Sequence, residues 1–232
     1  MIVMKKSMFC ALFALGAVCF GDTVFQLDFP EKELKAQGKS MPLVDKIQIG
    51  PENFVDAGDG KFAFQLSDAN AQKKVYPSYF AGNGFPYAAG SVEFSFKVLK
   101  QQTGSPVRFL HVFSPSKDQQ GLLIFYFYQN SEKAFVTGIQ VGKEQYRVVI
   151  PARLIKADAF NKVRVEWNAG TLTAYLDGKK YGDCALPAGF AEFAAKPRGW
   201  STFNVLPVYP ANGDKWENRA AVTDIKIESA AK

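Results

Sequence analysis

Chemistry in this chain rests on few side chains. It has a single histidine, His111, in the run VRFLHVF, and imidazole is the group whose ordinary pKa lies nearest neutrality. Arg108 stands three positions earlier. Residues 107–113 read as a strand, where successive side chains alternate between faces. Regular alternation puts His111 with Val107, Phe109 and Phe113, and Arg108 on the opposite face. His111 therefore reads first as a hydrogen-bonded histidine in or beside the core. The second reading is a general base, which needs partners to be credible as catalysis. In an enzyme, His111 or Glu93 would be the acid or base, in a polar cleft beside Tyr126 or Tyr128. Glycoside hydrolysis, however, sets two carboxylates about one bond. Glu93 stands alone on its strand and Glu166 has no acidic neighbour two residues away, so no catalytic group is assigned.

Aromatic residues supply a different chemistry. Tyr126 and Tyr128 project from one face of the run 122–129 (LLIFYFYQ). A tyrosine combines a flat apolar ring with a polar tip, so the pair suits stacking on sugar rings as well as packing under a loop. Trp200 and Trp216 lie in loop-like contexts, GWS and DKWEN, and large aromatics exposed there mark a binding platform or cap the end of a core. Arg108 and Asn218 are the polar contacts that complete this ligand-binding set: Tyr126, Tyr128, Trp200, Trp216, Arg108 and Asn218.

Metal and thiol chemistry find little support. With one histidine and three cysteines, Cys10, Cys19 and Cys184, a zinc site is not expected. Cys184 reads as a small buried hydrophobe. The run Asp56-Ala57-Gly58-Asp59-Gly60 lacks the spacing and charge of a calcium loop and reads as a hairpin turn. No metal and no cofactor is expected, and a structural calcium is unsupported.

The elements that must position these residues are strands. Runs at 23–28, 61–66, 91–99, 107–113, 122–129, 135–141, 146–150, 162–167, 171–176, 202–206 and 222–228 are short, β-branched or aromatic, and bounded by Gly, Pro, Asn or Asp. In 91–99, Val92, Phe94, Phe96 and Val98 alternate with Glu93, Ser95 and Lys97. Asp177-Gly178 is a two-residue hairpin signal, with the start of a further strand after it. Residues 31–37 and 152–160 are expected to form short helical connections. Nothing alternates as βαβ, which argues against a parallel sheet. The run 122–129, apolar on both faces, is expected to be central, with its second face covered either by a ligand or by loops, for which the segments 69–90 and 199–218 are the candidates.

The stretch VRVEWNAGTLTAYLDGKKY (163–181) resembles the central hairpin of laminin-G-like and concanavalin A-like lectin/glucanase domains. AVTDIKIE (221–228) resembles their last strand, which pairs near the first, here TVFQLDF (23–29). The resemblance implies an all-β, two-sheet antiparallel jelly-roll sandwich whose concave side often holds carbohydrate. Alginate-lyase relatives use an Arg/Gln/His/Tyr group on that face. Arg108, His111, Tyr126 and Tyr128 supply such residue types, but alternation separates Arg108 from His111 and the motifs of those lyases are absent.

The N-terminus reads as a secretory signal peptide: Lys5 and Lys6, then an apolar run over 8–20, then Gly21. That run is shorter than the ~20 residues a spanning helix needs. The expected organisation is a signal peptide at 1–21 and one sandwich domain at 22–232. The product is secreted or periplasmic, and lipid anchoring at Cys19 ranks below simple export. The net charge of +6 is spread along the chain, with no cluster or motif for nucleic acid. Three functions follow, in order. The first is a lectin-like domain binding a glycan or other extracellular ligand without catalysis. The second is a polysaccharide lyase or glycoside hydrolase. The third is an envelope structural or protein-interaction domain.

Overall fold

The computed structural model describes residues 20–34, 36–38, 41, 43, 47, 49–82, 84–101, 106–114, 122–196, 200–207 and 219–230. In chain order its strands are β1 (Phe20–Leu27), β2 (Phe54–Gly58), β3 (Lys61–Gln65), β4 (Ser78–Phe80), β5 (Gly90–Lys100), β6 (Val107–Ser114), β7 (Leu123–Gln129), β8 (Phe135–Val141), β9 (Glu144–Ile150), β10 (Asn161–Trp167), β11 (Thr171–Leu176), β12 (Lys179–Ala185), β13 (Thr202–Val205) and β14 (Arg219–Ala230). Two short helices, α1 (Asp68–Gln72) and α2 (Phe190–Ala195), lie in the connections. The residues before 20, where a signal peptide is expected, fall outside the described residues with Cys10 and Cys19, as do Trp216 and Asn218.

The strands form two sheets. The larger runs β12-β11-β10-β5-β14-β3-β2, with β1 also paired to β14; the smaller runs β4-β13-β6-β7-β8-β9. Every pairing between them is antiparallel. The first and last strands pair, as the resemblance implied. Asp177 and Gly178 both take positive φ, 49° and 79°, which closes the β11–β12 hairpin with the twist that strands favour.

The core lies between the sheets and is built by alternation. Val92, Phe94 and Phe96 of β5 point inward, as do Val163, Val165 and Trp167 of β10. From the other sheet Phe109, Phe125, Phe127 and Phe135 meet them. Phe96 stacks on Phe109 with ring centroids 4.2 Å apart and on Phe135 at 5.3 Å. Each such ring removed from water contributes about 2–3 kcal/mol. Trp167 stacks on Phe85 and donates its indole N–H to the Pro86 carbonyl at 2.9 Å, so part of segment 69–90 closes an end of the core.

Two expected helices are corrected. Lys32 takes φ 55°, outside helical space, and Gln37 exchanges backbone hydrogen bonds with Gln26 at 2.7 Å; Gln37 is therefore in a bridge to β1. Residues 152–160 hold only a single turn, Ala152–Leu154. The buried Asn161 then ties the connection down, accepting from the Lys156 N–H and donating to the Lys156 and Ala159 carbonyls. Strands β2 and β4 were not expected. The Asp56 run is the hairpin between β2 and β3, as read from its glycines.

Candidate functional site

The decisive local feature is a bulge in β6. Arg108 pairs with Tyr128 of β7, but the next pair is Leu110 with Phe127, so Phe109 is an extra residue. Phe109 and Leu110 are both buried. An extra residue reverses the alternation beyond it. Arg108 and His111 therefore share the outer face of the six-stranded sheet, which corrects the expectation that they point to opposite faces. His111 likewise leaves the parity of Val107 and Phe109, which are core, and keeps that of Phe113.

The reason is energetic. A regular strand would force either the imidazole or the guanidinium inward, at a cost of several kcal/mol without a partner. The bulge instead buries Val107, Phe109, Leu110 and Val112 together. The lost ladder bond costs only about 1 kcal/mol, and here the Phe109 carbonyl still accepts the Leu206 N–H at 2.7 Å. Leu206 takes φ 49° to make that bond, an uncommon conformation for a bulky residue and one that tends to sit at functional positions.

Cross-strand pairing then writes the face as rows. Asn204 of β13 lies opposite His111, His111 opposite Tyr126, Tyr126 opposite Gly138, and Gly138 opposite Arg147. Two adjoining depressions lie over these rows, one of about 590 Å³ and one of about 310 Å³, sharing Arg108, His111 and Ile124. Together they form a groove within the size range of ligand sites. Lys74, Tyr76, Ser78, Phe113 and Asn204 line its larger part. Tyr126, Tyr128, Gln140 and Gln145 line the smaller.

The electrostatics follow from burial. Burial pushes His111 down to about 4, and the adjacent Arg108 charge pushes the same way; the imidazole is therefore neutral near pH 7. Its ring lies nearly parallel to Phe113. Burial raises Tyr126 to about 12, helped by Tyr128 and opposed by Arg147. The Tyr126 ring lies over β8, where a Cβ at position 138 would collide with its hydroxyl and with the Tyr146 carbonyl. Gly138 is thus the space in which Tyr126 sits. That hydroxyl is buried and has no hydrogen-bond partner among the described residues. Asn204 is oriented by Ser78, whose hydroxyl donates to Oδ1 at 2.5 Å.

Of the sequence candidates, Arg108, His111, Tyr126 and Tyr128 converge on the groove. Trp200 is 63% exposed and packs on Phe80, 5.5 Å between ring centroids, at the edge of the same sheet. Trp216 and Asn218 lie outside the described residues. Glu93 is corrected: it lies on the outer face of the other sheet, 2.8 Å from Lys162 and 3.8 Å from Arg164, and cannot act with His111. Asn204, Gln140, Arg147 and Gly138 were missed. Each belongs to this face only through strand pairing, which no local pattern states. Among the described residues no cluster of three His, Cys, Asp or Glu side chains is arranged to hold a metal, and no helix is long and apolar enough to cross a membrane.

No protein-family model and no curated protein matches the sequence. Solved structures match the fold. A botulinum neurotoxin type C structure, whose cell entry depends on interaction with two ganglioside molecules, is 11% identical at a TM-score of 0.60, covering 91% of this chain and 49% of that one. A carbohydrate esterase from Shiga toxin-encoding bacteriophage phi24B is 13% identical at a TM-score of 0.56, covering 90% and 99%. The β-glucanase of Bacillus licheniformis is 11% identical at 0.51, covering 82% and 92%. The chain thus spans about half the length of the toxin chain it matches. Two stacked antiparallel sheets with paired first and last strands make this an all-β jelly-roll sandwich, the concanavalin A-like fold of those structures.

Proposed function

We propose that this chain is an exported saccharide-binding domain whose ligand lies in the groove on the outer face of the six-stranded sheet. The observation that carries this reading is the convergence of Tyr126, Tyr128, Arg108, His111 and Asn204 on one groove. Tyrosine rings 5.8 Å apart offer faces for sugar rings, and the amide, guanidinium and hydroxyl offer hydrogen bonds to ring substituents. Neighbours in fold that interact with gangliosides or are named as carbohydrate enzymes support the choice of ligand class. The envelope structural reading, which expected a flat or covered sheet, is less well supported.

Calorimetry or a glycan array tests the proposal. Tyr128→Ala and Arg108→Ala are each expected to weaken binding of any captured glycan at least tenfold while leaving the fold intact by circular dichroism. A glycan held as tightly by both variants would place the site elsewhere.

A lyase is the second reading, favoured by the bulge that sets Arg108 beside His111 and Tyr126. On a uronate, Arg108 would hold the carboxylate. Neutral His111 would take the C5 proton, the C4–O bond would break, and the departing oxygen would be protonated from Tyr126. Ultraviolet absorbance of the new C4–C5 double bond reports it directly, and its absence with bound uronan leaves the non-catalytic reading. The hydrolase version loses its acid, because Glu93 is on the other sheet.

A further inference from the structure

At the β13 end of the groove a second chemistry is built from five side chains. Ser78 of β4 pairs with Asn204 of β13. Thr202 lies two residues earlier on β13, on the same face, opposite Phe113 of β6, and Phe113 lies opposite Ile124 of β7. All five line the larger depression.

Three of them form a hydrogen-bond relay with a fixed direction. The Ser78 hydroxyl donates to Asn204 Oδ1 at 2.5 Å, and Asn204 Nδ2 donates to Thr202 Oγ1 at 3.2 Å. These lengths set the orientation of the amide. The first suits O–H···O and is too short for N–H···O, while the second suits N–H···O and is long for O–H···O. Ser78 and Asn204 are each only 4% exposed, and linked hydrogen bonds shielded from water strengthen one another. An amide nitrogen carries two hydrogens and a hydroxyl carries one. Asn204 uses one of its two on Thr202, and Thr202, having accepted, keeps its own. The amide oxygen faces Ser78, so the relay ends at the groove in donors: a hydroxyl and an amide N–H.

Apolar surface stands beside these donors. Phe113 and Ile124 are half-buried and share a row with Thr202. A sugar hydroxyl could accept from the relay, but it carries a proton of its own and no apolar part. An acetamido substituent offers a carbonyl oxygen, which only accepts and has two lone pairs. It also carries a methyl group, whose burial against apolar carbon is favourable. Resting on the saccharide-binding reading, we propose that the groove selects an N-acetylated amino sugar, its carbonyl oxygen held by Thr202 Oγ1 and Asn204 Nδ2 and its methyl packed on Phe113 and Ile124. Ser78 is a positioning residue that acts through Asn204.

Calorimetry tests this with pairs of glycans that differ only in that substituent: N-acetylchitotetraose against cellotetraose, and N-acetyllactosamine against lactose. In a pair that binds, the acetamido member is expected to bind at least about tenfold tighter. Thr202→Val keeps the shape of the side chain and removes its donor. It should abolish most of that ratio while leaving the affinity for the hydroxyl member and the circular dichroism unchanged. Ser78→Ala should lower the ratio in part, and lower it no further in a Thr202→Val background, whereas a merely structural role would weaken both members alike. Equal affinities within each pair that binds, with loss of both members in Tyr128→Ala, would overturn the acetamido assignment and leave the saccharide reading standing. A ratio that survives Thr202→Val would also overturn it. No binding of any of the four would remove it, and a glycan array that is empty as well would remove the saccharide reading with it.

Discussion

His111 shows what a single side chain contributes and costs. It faces the groove, yet burial and the Arg108 charge hold it at about 4, against an ordinary value of 6.5. In the unfolded chain it takes its proton near 6.5, while in the folded protein it does so only near 4. Between those values the unfolded state binds the additional proton, so stability falls as pH drops through this window and is fully present above 6.5. The gap corresponds to roughly 3 kcal/mol before solvent screening, which lowers it. Denaturant midpoints measured from pH 7.5 to 4.5 should therefore fall more steeply for the wild type than for His111→Gln. Parallel slopes would mean that the imidazole is not held neutral. The comparison is of slopes, so any overall change in stability from the substitution does not enter.

At the scale of elements, two strands build the groove by departing from regularity. β6 carries the bulge that turns His111 outward beside Arg108. β8 passes beneath Tyr126 as bare backbone at Gly138. A methyl group there meets the Tyr126 hydroxyl on one side and the Tyr146 carbonyl on the other, and the carbonyl cannot yield because it belongs to the sheet. Overpacking of this kind costs about 1–3 kcal/mol. Gly138→Ala is expected to lower the unfolding free energy by that much, read as a fall in denaturant midpoint, and to weaken ligand binding by displacing the tyrosine ring. Unchanged stability and unchanged affinity would show that Tyr126 has room to move. Neither element was legible in full. The strand at 107–113 and the tyrosine parity of 122–129 were readable from alternation. The bulge was not, because its cause is the joint burial of Phe109 and Leu110 against the facing sheet.

At the scale of the whole molecule, the two sheets carry different outer faces, a charge layer on one and the groove on the other. The eight-stranded sheet carries a satisfied charge layer around Arg164, into which Tyr175 also donates, to Glu166 at 3.0 Å. Burial pushes Glu228 up, but the hydrogen bonds and charges of Lys226 and Arg164 outweigh it and hold its carboxyl below the ordinary range. Such a depressed acid stabilises the fold above about pH 4.5 and loses that contribution as pH falls. Arg164→Met leaves Glu93, Glu166 and Glu228 facing one another with only lysines to offset their charge. It is expected to cost about 1–3 kcal/mol at pH 7, with a smaller deficit near pH 4. Groove binding should be unchanged, because the core separates the two faces. A deficit independent of pH would show that Arg164 acts through packing alone.

The sequence by itself determined most of the strands, the hairpin at Asp177-Gly178, the pairing of first and last strands and hence the jelly-roll sandwich. All of these follow from short-range alternation, turn chemistry and a likeness carried by contiguous residues. It also named Arg108, His111, Tyr126 and Tyr128 as the residues to watch. Only the tertiary structure decided that they share one face, that Asn204 and Arg147 join them, and that Glu93 does not. Those outcomes depend on which strands pair and on where one strand takes an extra residue. Both are settled by the total burial of aromatic side chains between two sheets, a quantity that no local stretch of the chain contains.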